Sequence, residues 1–288
     1  MEKSFGEIFK ESFVVLKKSL PDFLKIIGIC IFGSVLIIGA AIAVLGMQFI
    51  KNFNDAAFVQ SYMSTSSASI GLFMLFAFLL LIALYYVGYC FTVLTVRNNY
   101  LEYKEPFKET FFKSFGKCLR VFLAAIFIGI FYFLIIGVTF GIPFIFFIVK
   151  QSIWPLVAGI VLTGIVSVII LPPFYTGFFG VLCRDEDFFS VLKESVRLGF
   201  QRWFKIVGYM ALITLICSVP VGFLLGLIMY ILKLAQLPIL ENIVVFAVQI
   251  AVGLFSTCFT TILYLDISGI RQPEVVMEPI QPLENKPL

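Results

Sequence analysis

Apolar residues run without a single charge over roughly residues 26–49, 70–96, 121–149, 155–183, 206–232 and 243–265. Each run reaches or exceeds the ~20 residues a helix needs to cross the hydrocarbon core of a bilayer. Lipid offers no partner to an open backbone group, so a helix, which satisfies its own, is the element these runs predict. The fold class expected is all-α: a polytopic membrane bundle of six transmembrane helices.

Charge is confined to the connections, and unequally. All but Lys51, Lys150 and Lys233 of the 21 Lys and Arg precede the first run, follow the last, or lie between runs two and three and runs four and five. The positive-inside rule then places both termini and those two connections in the cytoplasm of a cell (inner) membrane protein. The net charge of +4 is no nucleic-acid signal, because Glu2, Glu7, Glu11, Glu102, Glu105, Glu109 and Glu194 interleave with the cations. A headgroup-facing surface explains it, with anionic lipids and a membrane-protein partner as the expected contacts. Residues 1–25 are too long and too charged to begin a secretory signal, so the first run is expected to stay in the mature protein.

The basic connections resemble one another. Phe9-Lys10-Glu11-Ser12-Phe13, Phe107-Lys108-Glu109-Thr110-Phe111 and Leu192-Lys193-Glu194-Ser195-Val196 each precede an odd-numbered run. The second and third continue in register, Arg120 matching Lys205, whereas the first needs about three inserted residues near Pro21. Even-numbered runs also close alike: GYCFTVLTVR at 88–97, YTGFFGVLCR at 175–184 and TCFTTILYLD at 257–266. These echoes predict three units of amphipathic helix plus two spans, about 1–97, 98–184 and 185–268, forming one membrane domain over 1–268.

Each leading helix carries an apolar stripe at helical spacing: Phe5, Phe9, Phe13, Leu16 and Leu20; Phe107, Phe111, Phe115 and Leu119; Phe189, Leu192, Val196, Phe200 and Trp203. Such a helix is expected to lie in the interface plane, rings toward acyl chains and cations toward phosphate. The candidate lipid- or partner-facing residues are therefore Lys10, Glu11, Lys108, Glu109, Lys113, Lys117, Arg120, Lys193, Glu194, Arg202 and Lys205. Arg97, Arg184, Tyr264 and Asp266 form a candidate cluster at the cytoplasmic span ends, with Tyr264 read as an interface anchor.

Inside the spans, Gly137, Gly141, Pro143, Pro172, Pro173, Pro220 and Gly222 interrupt the later helices. Paired breaks can build a transport site, and they equally serve as packing kinks. No Asp, Glu, Lys, Arg or His lies in a span interior, which disfavours proton or sodium coupling. Gln249 is the intramembrane polar candidate, expected to bond a neighbouring helix. The six cysteines form no CxxC pair and read as reduced, small apolar side chains.

The chain has no histidine. Ser-His triads, HExxH zinc sites and histidine phosphotransfer are excluded, and neither a Walker A loop nor a GxGxxG turn is present. No catalytic, cofactor-binding or metal-ligating residue is expected. The tail over 269–288, rich in Pro, Glu and Gln, predicts a disordered cytoplasmic segment.

Six spans in three units, Phe-Lys-Glu leading helices and a close on Tyr264-Leu265-Asp266 resemble the glycerophosphoryl diester phosphodiesterase membrane-domain and YciC-like families. Ser268 stands where that family's Tyr-x-Asp-x-Arg pattern carries Arg. The resemblance implies a membrane module without activity of its own. The function expected is non-enzymatic, in lipid organisation or support of partner proteins at the cytoplasmic leaflet; the alternative is a transporter or permease subunit with a midplane cavity. Cysteine labelling should place positions 10, 110, 195 and 280 on one side and 60, 152 and 237 on the other; external labelling of position 110 would overturn the scheme.

Overall fold

Where no water competes for the backbone, long apolar runs settle into long helices, and the computed structural model is built of helices alone among its described residues, 2–46, 55, 68–234 and 238–270. In chain order they are α1 (Phe5–Leu45), α2 (Ala68–Tyr100), α3 (Phe107–Thr139), α4 (Gly141–Lys150), α5 (Ile153–Cys183), α6 (Phe188–Gln201), α7 (Trp203–Leu234) and α8 (Pro238–Ile267). Six spans are long and apolar enough to cross a membrane, α3 and α4 making one of them together. The protein is a multi-pass membrane protein. Labelling positions 60, 237 and 280, and the tail beyond 270, lie outside the described residues.

Two of the three leading helices are not separate elbows. Residues 5–20 continue through Pro21 into the first span, making α1 a single 41-residue helix, and residues 107–119 run directly into the third. At 1.5 Å per residue α1 is ~60 Å long, well beyond a ~30 Å hydrocarbon core. A capping box starts it: the Ser4 side chain accepts from the Glu7 amide while Glu7 Oε2 accepts from the Ser4 amide at 2.7 Å. The third leading segment is a helix of its own, α6, capped by Asp187 and parted from α7 at Arg202.

The packing is cyclic. α2, α5 and α8, the even-numbered spans, touch one another at the centre; α1 sits between α8 and α2, α3 between α2 and α5, and α7 between α5 and α8. Each leading segment rests on the even span of the unit before it, and the first closes the ring on the last: Phe5 packs edge-on to Tyr209 and against Phe259, and Phe9 and Phe13 against Phe255. Phe107 and Phe111 pack on Phe91 in the same way.

The face each leading helix buries deepest against its neighbour is not the aromatic stripe. Their most buried face holds Ile8, Ser12, Val15, Ser19 and Phe23 in α1, Thr110, Ser114, Lys117, Val121 and Ala124 in α3, and Val191, Ser195 and Gly199 in α6. Of the apolar stripe, Phe5, Phe9, Phe107 and Phe111 are half-buried in protein contacts, whereas Phe13, Leu20, Phe115, Leu119, Phe189 and Phe200 stay exposed. In lipid an apolar face gains nothing by leaving the solvent, so close seating relies on small residues and hydroxyls, and each seat has them.

The interruptions have separate consequences. At Phe140 the third span breaks into α3 and α4, beside Gly137 and Gly141. Pro172 and Pro173 leave α5 continuous: Pro173 cannot bond the Ile169 carbonyl, which accepts from Trp203 Nε1 at 3.1 Å instead, and the Thr176 hydroxyl donates to the Pro172 carbonyl at 2.9 Å. Gly199 faces this bend so closely that a Cβ there would lie 2.5 Å from Pro173 Cα and 2.7 Å from the Pro172 carbonyl oxygen. Gly199→Ala should therefore lower stability by about 1–3 kcal/mol, whereas Gly208→Ala, pointing into open space, should be neutral or slightly stabilising. Thermal unfolding of the two variants in detergent checks the ranking; equal melting points would contradict the seat.

Candidate functional site

Most of the charged residues converge at one end of the bundle, where both described chain ends also lie: the Lys3 amide donates to Asp266 Oδ1 at 3.1 Å. Arg97, Arg184 and Asp266, matching in sequence at the ends of α2, α5 and α8, do not gather into one cluster. Each meets its own partners.

At the end of α8, Asp266 Oδ2 accepts from Lys205 Nζ at 2.7 Å, with side chains only 6% and 14% exposed. Glu2 bridges Arg202 at 2.5 Å and Lys205 at 3.3 Å. Lys3 Nζ donates to Glu11 at 2.5 Å and to Tyr100 Oη at 3.0 Å. Burial alone would push the Lys3 ammonium down; the bonds to Glu11 and Tyr100 outweigh it and hold it above its ordinary value.

At the end of α5, Arg184 Nη1 reaches Glu194 Oε2 at 2.7 Å. Beneath this pair Tyr264 is fully buried, its hydroxyl 3.4 Å from Ser195 Oγ, and it stacks on Phe179. Tyr264 is thus a core residue and not the expected interface anchor, because α6 covers the end of α8 at that point. Gly180 makes the room: a Cβ there would clash with Ser195.

The end of α2 is arranged differently. Lys117, expected on the lipid-facing side, turns inward and donates to the carbonyls of Leu182 at 2.8 Å and Arg184 at 2.6 Å, and pairs with Asp185 at 2.9 Å. These carbonyls belong to the last turn and the C-cap of α5, where a helix leaves its acceptors unpaired and favours a cation. Partial burial pushes the Asp185 carboxyl up, but Lys117, Arg97 and Lys113 outweigh it and hold it below its ordinary 3.8. Its contribution is therefore present above 3.8 and lost only as pH falls through the lower folded value. Asn98 Nδ2 donates to Glu105 at 3.0 Å, and Lys113 pairs with Glu105 at 2.5 Å. Arg97 comes only within 3.8 Å of Asp185, and its Nε is buried without a hydrogen-bond partner. A cavity of about 560 Å³ opens here, lined by Arg97, Asn98, Glu105, Lys113, Lys117, Arg120 and Asp185 among others.

Of the remaining sequence candidates, Lys10, Lys108, Glu109, Lys193 and Arg120 are exposed and form no ion pair among the described residues. Gln249 is exposed on α8 and makes no hydrogen bond among them, so the expected interhelical bond is not formed. The six cysteines are free. Sequence reasoning missed Glu2, Lys3, Asn98, Glu105 and Asp185. Asn98 and Asp185 immediately follow Arg97 and Arg184, and that adjacency to span ends was the available signal. Among the described residues, no three His, Cys, Asp or Glu side chains stand where they could hold a metal ion.

No family model, curated protein or solved structure matches this chain. What fold and geometry define is a class: a helical multi-pass membrane protein whose charges are concentrated at one end. Lys205→Met leaves Asp266 with only the Lys3 amide and should destabilise by about 3 kcal/mol, as breaking a buried pair does. Lys108→Met, removing an exposed charge, should stay within about 0.5 kcal/mol. Denaturation in detergent separates the two, and equal losses would contradict a structural role for the Lys205–Asp266 pair.

Proposed function

We propose that this chain is a non-enzymatic protein of the cell (inner) membrane, both termini cytoplasmic, that organises anionic lipid and supports partner membrane proteins at the cytoplasmic leaflet. The observation that carries the reading is the setting of Lys10, Lys108 and Lys193. They occupy the same step of the three units, each two residues before a buried hydroxyl residue (Ser12, Thr110, Ser195), and each is exposed and unpaired among the described residues. Two steps along a helix turn the face by about 200°, so seating the hydroxyl on the neighbouring span directs the lysine outward. The same reading groups the chain with the membrane-domain family it resembles, on its three units and its Tyr264-Leu265-Asp266 close.

A transporter reading has one observation in its favour: a cavity of about 390 Å³ between α3 and α5, lined by Gly129, Leu171 and Phe178 among others, where Tyr132 Oη lies 3.1 Å from Ser167 Oγ. The two readings rank variants oppositely. Replacing Lys10, Lys108 and Lys193 together by Gln should reduce co-purified anionic lipid, by about 1 kcal/mol of attraction per charge, screened by salt. Ser167→Ala and Gln249→Leu should leave lipid retention unchanged. Flux lost in Ser167→Ala with lipid retention unaltered in the triple variant would favour transport.

A further inference from the structure

We propose that the cavity at the end of α2 seats the phosphate of one anionic phospholipid, with Arg97 and Arg120 as its ligands. This rests on the lipid-facing reading and narrows it to a single place.

Three span ends are built from matching parts. Arg184 is met by Glu194 at 2.7 Å, and Asp266 by Lys205 at 2.7 Å and by the Lys3 amide. Both of those ends are neutralised within the chain. At the end of α2 the counterpart of Glu194 is Glu109, which is exposed and forms no ion pair among the described residues. Arg97 is left with Asp185 at 3.8 Å, a carboxylate that Lys117 already holds at 2.9 Å, and with a buried Nε that has no hydrogen-bond partner.

Four cations, Arg97, Lys113, Lys117 and Arg120, line the cavity against two carboxylates, Glu105 and Asp185. Lys113 is matched by Glu105 and Lys117 by Asp185, so the two unmatched charges are both guanidinium groups. A planar guanidinium fork fits phosphate oxygens in a two-point contact that an ammonium cannot make. The cavity also holds about 560 Å³, ample for a phosphate with its glycerol.

The surroundings favour a lipid over a soluble phosphate. Arg120 stands where the charged part of α3 ends and the uncharged run begins. On its own helix face, three and seven residues on, Leu123 and Phe127 are both exposed. A headgroup at Arg120 would thus leave its acyl chains against apolar side chains already facing the bilayer.

Native mass spectrometry of the purified full chain, titrated with phosphatidylglycerol and with phosphatidylcholine, tests this. One phosphatidylglycerol per chain should bind in preference to phosphatidylcholine. Arg120→Gln, an exposed position that leaves the fold intact, should weaken that binding about fivefold, the factor expected for one charge near a membrane surface. Glu105→Gln removes a competing carboxylate and should tighten it, and Arg197→Gln, an exposed cation of α6 away from the cavity, should not move it. If Arg120→Gln and Arg197→Gln weaken binding equally, or Glu105→Gln fails to tighten it, the pocket assignment is wrong while general attraction to anionic lipid stands. If no anionic lipid is preferred by any form, both readings fall. Displacement of the lipid by millimolar glycerol 3-phosphate would keep the phosphate seat and overturn its assignment to lipid.

Discussion

Membrane helices gain nothing by hiding apolar surface from lipid, and the rest of this structure depends on how the chain answers that constraint. Association has to come from close backbone approach and from hydrogen bonds. Here both are supplied at one end by a repeated device. Ser12 and Ser19, Thr110 and Ser114, and Ser195 and Gly199 turn inward on the three leading segments, letting each lie against the preceding even span. The Gly180 and Gly199 contacts show how little space remains: neither position admits a Cβ without displacing a neighbour.

Because the seats lie at the charged end, so does the packed core. Phe91, Val93, Leu182, Phe259, Ile262, Leu263 and Leu265 are fully or almost fully buried there. Farther along the spans, side chains such as Phe32, Phe133, Val149 and Phe223 are exposed, as a lipid-facing surface allows. The charges at that end therefore have structural work to do. Lys117 satisfies the last carbonyls of α5, and Lys205 and the Lys3 amide hold Asp266, tying the first helix to the last. Charges used this way are no longer free to meet lipid, which separates Lys117 and Lys205 from Lys10, Lys108 and Lys193.

That division was only half legible in the sequence. The three Lys-Glu-Ser/Thr triplets are plain in the sequence, and their Lys and Glu read as lipid- or partner-facing; the hydroxyl residue that follows them is the buried member. Tyr264 shows the same limit. At the end of a span an aromatic residue reads as an interface anchor, yet α6 folds over it and places Ser195 on its hydroxyl. Gln249 misled in the opposite sense, since a lone polar residue in a span suggests an inward bond and its helix turns it outward.

The sequence by itself determined the class of element, the number of spans, their approximate limits and the concentration of charge in one set of connections. These follow from composition over windows of about twenty residues, which is the length scale the bilayer imposes. Only the tertiary structure decided which face of each leading helix is covered, that the first of them closes on the last span, and which of three matching span ends keeps an uncompensated cation. Those outcomes depend on contacts between residues as far apart as 3 and 266, or 117 and 182. Their specificity is set by angstrom-scale fit around a few small side chains, to which hydropathy along the chain is blind.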